Sequence, residues 1–249
     1  MTRPTSPLSK RATALSPPNL TPRLPTRPRY AWEFKPRFRR RAFGWQSQPA
    51  IQRIKQAVSE IKQVARTDSV LAAEGAVSLL ERLSPALEPV DSSSGAIGSA
   101  VNNAIIALVP LIASVAVDDA TREKWLVRLW NALEADGIPY IELLGESWGD
   151  LCASKERASQ WADRLLEPTR LALSADRTLH GFFHGTTACL SALYRAERYD
   201  LIVELLPASA LSFYREWAVK AFHAMGRTDD AIRYAELCNA GIRARQTRR

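Results

Sequence analysis

The sequence predicts an all-α protein whose antiparallel helical hairpins stack as a short α-solenoid. Three observations carry this. Apolar residues recur at helical spacing from residue 47 onward, and no run alternates between turn signals as a half-buried strand would. Helix-start residues precede the periodic runs, and Gly or Pro follows them. Near the end, residues 192–206 (ALYRAERYDLIVELL) align with residues 221–235 (AFHAMGRTDDAIRYA) at an offset of 29 residues. Helical units repeating every 20–50 residues build stacked arrays, which bind along a surface rather than in one deep pocket.

Residues 1–29 hold seven of the fifteen prolines, with few large apolar side chains, and read as a disordered Pro/Arg-rich tail. Residues 30–45 form an aromatic-basic strap, in which Tyr30, Trp32, Phe34, Phe38, Phe43 and Trp45 interleave with Lys35, Arg37, Arg39, Arg40 and Arg41. The helical domain spans 46–240. Ser47 reads as an N-cap with Pro49 in the first turn, and Ile51, Ile54, Val58, Ile61 and Val64 trace one face. Asp68 or Ser69 caps a second helix that Pro85 closes. Asp91 to Gly95 is a loop. A third helix covers 96–115, bent or broken at Pro110. A fourth starts at Asp118 or Asp119 and ends at Asp136-Gly137. Pro139 opens a fifth, reaching Leu151, and Ser154 caps a sixth. Residues 167–180 read as a loop before the matched hairpins, 182–196 with 198–206 and 209–225 with 227–239. Residues 241–249 are a basic tail.

Charge is unevenly placed. Residues 1–45 carry eleven Lys/Arg and one acid, whereas 46–249 carry 23 basic and 25 acidic residues. The basic character therefore belongs to the N-terminal segment. Cys152, Cys189 and Cys238 are widely spaced and odd in number, which predicts reduced buried thiols in a cytoplasmic protein. The longest apolar run, Ala104 to Val117, contains Pro110 and is shorter than the roughly 20 residues of a spanning helix, so no membrane partner is predicted.

Residues 226–235 (GRTDDAIRYA) resemble the inter-helix turn and second helix of a tetratricopeptide repeat, and Tyr199, Ile202 and Leu205 match in the preceding unit. In that family a small residue ends the first helix, and Ala at the start of the second lets the pair approach closely. The spacing here is 29 rather than the family's 34, and Glu197 stands where the turn glycine belongs. Residues 37–45 (RFRRRAFGW) and 91–97 (DSSSGAI) are similar to uncharacterised bacterial helical-repeat proteins. That resemblance implies no activity; it implies that relatives continue beyond this C-terminus. A terminal repeat needs a polar cap, and 241–249 is too short and basic to supply one. This predicts a truncated array or self-association through the uncapped C-terminal helix.

Two sets of residues are candidates for partner contact. Trp32, Phe34, Arg37, Arg39, Arg40, Arg41 and Trp45, extended by Arg53, Lys55, Lys62 and Arg66, offer guanidinium groups for phosphate and aromatics for base stacking. The competing reading is a structural cap, its aromatics buried and its arginines paired with acids of the array. Glu142, Glu146 and Asp150, at i, i+4 and i+8, would share one helical face and form an acidic docking surface, for which Arg37–Arg41 is one candidate occupant. His180 and His184 lack a third ligand at metal-binding spacing, and the stretch Gly181 to Thr187 lacks a phosphate loop's length and lysine. The tryptophans at 125, 130, 148, 161 and 217 read as core. No nucleophile and base are ordered together, so neither catalysis nor a cofactor is predicted. The expected function is a non-enzymatic scaffold that binds a peptide or helix on its helical surface; the alternative is a nucleic-acid-associated protein working through residues 30–66.

Overall fold

The computed structural model describes residues 30–174, 183–207 and 212–246, with side chains up to Asn239. Among them, regular structure is helical and no strand occurs. The α-helices are α1 (Ser47–Val64), α2 (Ser69–Leu87), α3 (Ala96–Ala113), α4 (Asp119–Glu134), α5 (Trp148–Leu151), α6 (Lys155–Leu173), α7 (Thr186–Arg195), α8 (Tyr199–Leu205), α9 (Arg215–Ala224) and α10 (Thr228–Gln246). Short 3-10 turns cover Lys35–Arg37, Glu142–Ser147 and Ser212–Tyr214. The expected disorder of 1–29 and the loop residues 175–180 lie outside the described residues.

Local chemistry places most starts where the sequence puts them. Asp68 caps α2 by accepting from the Leu71 amide at 2.9 Å, Asp118 caps α4 by accepting from Thr121 at 2.8 Å, and Ser154 caps α6 by accepting from Arg157 at 3.2 Å. Each satisfies an amide that the first turn leaves without a helical acceptor. Ser47 differs: it is already the first helical residue, Gln46 is the cap position, and no side chain caps there.

The prolines differ too. Pro85 lies inside α2 rather than closing it, α3 continues through Pro110, and α6 runs through Pro168 into the stretch expected to be loop. Each falls in the last two turns, so only a late hydrogen bond is lost. Pro110, Pro168 and the residues four before them, Ile106 and Arg164, are exposed. Water can therefore take the carbonyl that proline cannot serve.

α1, α2 and α3 pack mutually, and α4 lies on α2. The turn at 142–147 and α5 pack on both α3 and α7, which joins the two halves of the chain. From there α6 packs on α7, α7 on α8, α8 on α9 and α9 on α10, with α7 also touching α9. α3 is long and apolar enough to cross a membrane, but its Ile97, Val101, Ile105, Leu108 and Ile112 are buried in the helical core.

Arg122 secures the junction. It is 2% exposed, and its guanidinium donates to the carbonyls of Ile112 and Val115, each at 2.6 Å, and of Leu151 at 3.5 Å. It also lies 5.3 Å from the Trp125 ring. Beside it, Trp130, Trp148 and Trp161 pack at centroid separations of 5.2–6.0 Å.

The strap belongs to the same compact unit, which begins at Trp32. Trp32, Phe34 and Phe38 are buried, and Phe43 closes an edge-to-face chain with Phe38 at 5.3 Å. The amides of Glu33 and Phe34 donate to the Glu60 carboxylate on α1, and the Arg41 amide donates to the Pro85 carbonyl on α2 at 2.8 Å. Trp32 lies in a slot over α2 that exists because residue 75 is glycine. A Cβ there would come 2.2 Å from Trp32 Cζ2.

The two C-terminal hairpins coincide at the 29-residue offset. α7 and α9 start at 186 and 215, and α8 and α10 start at 199 and 228. The turn residues Glu197 and Gly226 take φ of 59° and 72°. The following amide reaches back identically, Arg198 to Leu193 and Arg227 to Phe222, each at 2.9 Å. Glu197 thus adopts the left-handed conformation of the glycine it replaces, stabilising the helix end with a backbone geometry that costs an L-residue about 1–2 kcal/mol.

Two stability predictions follow from these turns and slots. Alanine at position 75 gains about 1 kcal/mol of helix propensity, but the clash with a rigid indole outweighs it. Gly75→Ala is expected to lose about 2 kcal/mol or more by urea denaturation, with part recovered when Trp32→Leu is added. Gly226→Ala meets no atom within 4 Å and so isolates the conformational cost. It is expected to lose about 1 kcal/mol, whereas Glu197→Gly gains up to about 1 kcal/mol, because its exposed pair with Lys155 contributes little.

Candidate functional site

A concavity lies between α1 and α3. It encloses about 490 Å³ and is lined by Ile54, Lys55, Val58, Ser59, Lys62, Gln63 and Arg66 on one side and by Ala100, Asn103, Ala104 and Ala107 on the other. At about 100° per residue, Lys55 and Lys62 fall within about 20° of each other around the α1 axis, and Arg66 follows in the turn just after α1 ends at Val64. They form a cationic row, all three exposed. The opposite wall is alanine at i, i+4 and i+7. Among the described residues no Asp or Glu lines the groove, and residues 96–117 contain no charged residue at all. The floor is apolar, from Ile54, Val58 and Ala104.

The N-terminal candidates divide. Trp32 and Phe34 are 4% and 2% exposed and cannot stack on a ligand. Their aromatic character serves the core, which corrects their assignment as contact residues. Arg39, Arg40, Arg41 and Trp45 are exposed, Trp45 at 71%. Arg40 pairs with Glu88 at 3.1 Å and Arg37 approaches Glu33 at 3.9 Å. The strap docks through Glu60, which points about 140° away from Lys55 on α1, and Arg53 also faces away, at about 160°. Segment 30–66 is therefore not one basic surface. Only Lys55, Lys62 and Arg66 converge.

The acidic face also differs from expectation. Glu142 and Glu146 lie on the 3-10 turn and Asp150 on α5, so the three exposed carboxylates do not form one α-helical row. Close packing on α7 causes this. A Cβ at Gly149 would lie 2.4 Å from the Ser191 carbonyl oxygen, and Ser191 Oγ accepts from the Gly149 amide at 3.0 Å while donating to the Glu146 carbonyl at 2.8 Å. Those contacts replace regular helical bonds. The strap's ion pairs go to Glu88 and Glu33, not to these residues.

Burial pushes the Cys152 thiol up to about 12 and the Cys189 thiol up to about 11, so neither presents a thiolate near neutrality. Among the described residues, no three His, Cys, Asp or Glu side chains group closely enough to hold a metal ion; His180 lies outside them. At the C-terminal end, α10 packs on α9 and leaves Ile232 and Leu237 exposed beside a shallower cleft of about 360 Å³.

Sequence reasoning found the cations of α1 but missed the groove. Its second wall carries only alanines and Asn103, and the available signal was the long uncharged stretch of α3. Compared with protein-family models, curated proteins and solved structures, the chain gives no match.

Asp136 provides a pH test of the region between α4 and the 142–147 turn. Its carboxylate is buried, accepting from Ser84 Oγ at 2.5 Å and from the Ile141 amide at 2.8 Å. Burial raises its pKa above the ordinary aspartate value, outweighing the two hydrogen bonds. The folded state therefore binds this proton more tightly than the unfolded chain, so the group favours folding most at low pH. That contribution fades as pH rises through the folded-state pKa. Asn removes the charge: its oxygen still accepts from the Ile141 amide, while its NH2 can only donate, so the Ser84 hydroxyl has to turn and accept. In urea denaturation across pH, stability relative to wild type is expected to shift toward Asp136→Asn as pH rises through that window; a flat difference would show that burial does not penalise the charge.

Proposed function

We propose that this protein is a non-catalytic interaction scaffold that receives a segment of another protein on its helical surface, with the α1–α3 groove as the receiving site. The observation that carries this reading is the groove's asymmetry: a cationic row on one wall, an uncharged small-residue wall opposite, and no acid among the lining residues. A wall of alanines admits a backbone or helix closely, and a one-sided row of charge orients it. In this reading the C-terminal hairpins form a short tetratricopeptide-like stack. Its support is the shared boundaries and turn geometry at the 29-residue offset and the contact of α7 with α9.

A nucleic-acid role has narrower support, in the exposed Arg39, Arg40, Arg41 and Trp45. It requires binding of a single-stranded oligonucleotide that survives moderate salt and disappears when Arg37, Arg39, Arg40 and Arg41 become Ala.

Site-specific photocross-linking in the producing cell tests the scaffold reading. A benzophenone side chain at Ser59 or Asn103, inside the groove, is expected to yield one discrete cross-linked protein. The same group at Arg53, on the far side of α1, is expected to yield none. Identical products from both positions, or no discrete product from the groove, would overturn the assignment.

A further inference from the structure

Resting on that reading, we infer that the groove's occupant is an α-helix of about three turns with carboxylates along one edge, contributed by a protein partner. Length comes first. Lys55 and Lys62 are seven residues apart, about 10 Å along the axis, and Arg66 lines the same groove from the turn that follows α1, so a helix of about three turns spans the row. Charge comes second. Three exposed cations face a groove that contains no acid, while the opposite wall offers only alanines and Asn103. A complementary surface carries Glu or Asp toward α1 and small or apolar side chains toward α3.

Backbone chemistry then selects a helix over an extended strand. An extended segment buried here would need partners for its amides and carbonyls. The lining offers few neutral polar side chains, chiefly Ser59, Gln63 and Asn103, and the described residues contain no sheet edge. A helix satisfies its own backbone, and the alanine ladder lets its axis approach α3 closely. Concavity argues against a membrane surface as occupant: Ile106 is the only large apolar side chain of α3 that stands substantially exposed, at 63%. A nucleic acid would find no exposed aromatic in the groove on which to stack.

The test uses the full chain and a fluorescent helix-forming peptide of about 15 residues. It carries Glu on one edge and Leu and Ala on the neighbouring face. Binding is read by anisotropy at low and moderate salt. Lys55, Lys62 and Arg66 are exposed, so the combined change of all three to Glu should leave the thermal melt intact. That variant is expected to weaken the peptide at least about tenfold, since three rim pairs are reversed, and a peptide with Lys in place of Glu should bind the variant instead. A peptide of the same composition with a central proline should bind poorly to wild type.

Equal affinity for the Glu and Lys peptides, equal affinity for the proline peptide, or no binding of the Glu peptide at millimolar concentration overturns the inference. So does groove-dependent binding of anionic vesicles or single-stranded DNA in place of the peptide. If the inference fails while the groove-specific cross-link persists, the interaction reading stands with a different partner chemistry. Loss of both removes the site.

Discussion

A buried guanidinium with no carboxylate partner among the described residues joins α3, the loop after it and α5. Arg122 reaches the last turn of α3 through Ile112, the following loop through Val115, and the end of α5 through Leu151. Those carbonyls have no helical donor, and burying them unpaired would cost more than most single contacts contribute. Burial lowers the pKa of Arg122, with Arg157 adding to the effect, yet arginine stays charged in this environment. The carbonyl dipoles and the Trp125 face stabilise a cation that would otherwise be expensive to desolvate. Because α3 also forms one wall of the groove, the same residue that joins the two halves fixes the position of that wall.

The strap illustrates how one composition can support two readings. Alternating aromatics and arginines suit base stacking, and they equally suit a cap whose rings face inward and whose charges stay wet. What turns the rings inward is Gly75, a glycine in a helical run, and Glu60, which accepts two strap amides. Neither lies near the strap in sequence. Long-range complementarity of this kind has no local signature, whereas the caps at Asp68, Asp118 and Ser154 do, because their physics is confined to one turn.

The misread elements fail for related reasons. Pro85 as a stop, Pro110 as a bend or break and a loop from residue 167 all follow from the roughly 3 kcal/mol cost of a mid-helix proline, but near a helix C-terminus that cost shrinks. Glu142, Glu146 and Asp150 were spaced for a regular helix that Gly145, Gly149 and Ser191 replace with tight packing on α7. Glu197 was legible as a departure from the repeat resemblance. Its backbone shows that the departure changes the residue and keeps the turn.

Counting charge along a chain cannot separate Arg53 from Lys55, although about 160° of helix rotation does. That rotation divides the basic N-terminal region into a capping strap on one side of the bundle and a cationic row on another. The groove wall facing the row buries little apolar area, being built of alanine. Leucine at Ala100 or Ala107 would bury more apolar area against α1, at about 0.8 kcal/mol for each added CH₂. It would also fill the cleft. Stability alone therefore does not account for an alanine wall beside a row of exposed cations, and the open surface we propose for another helix would.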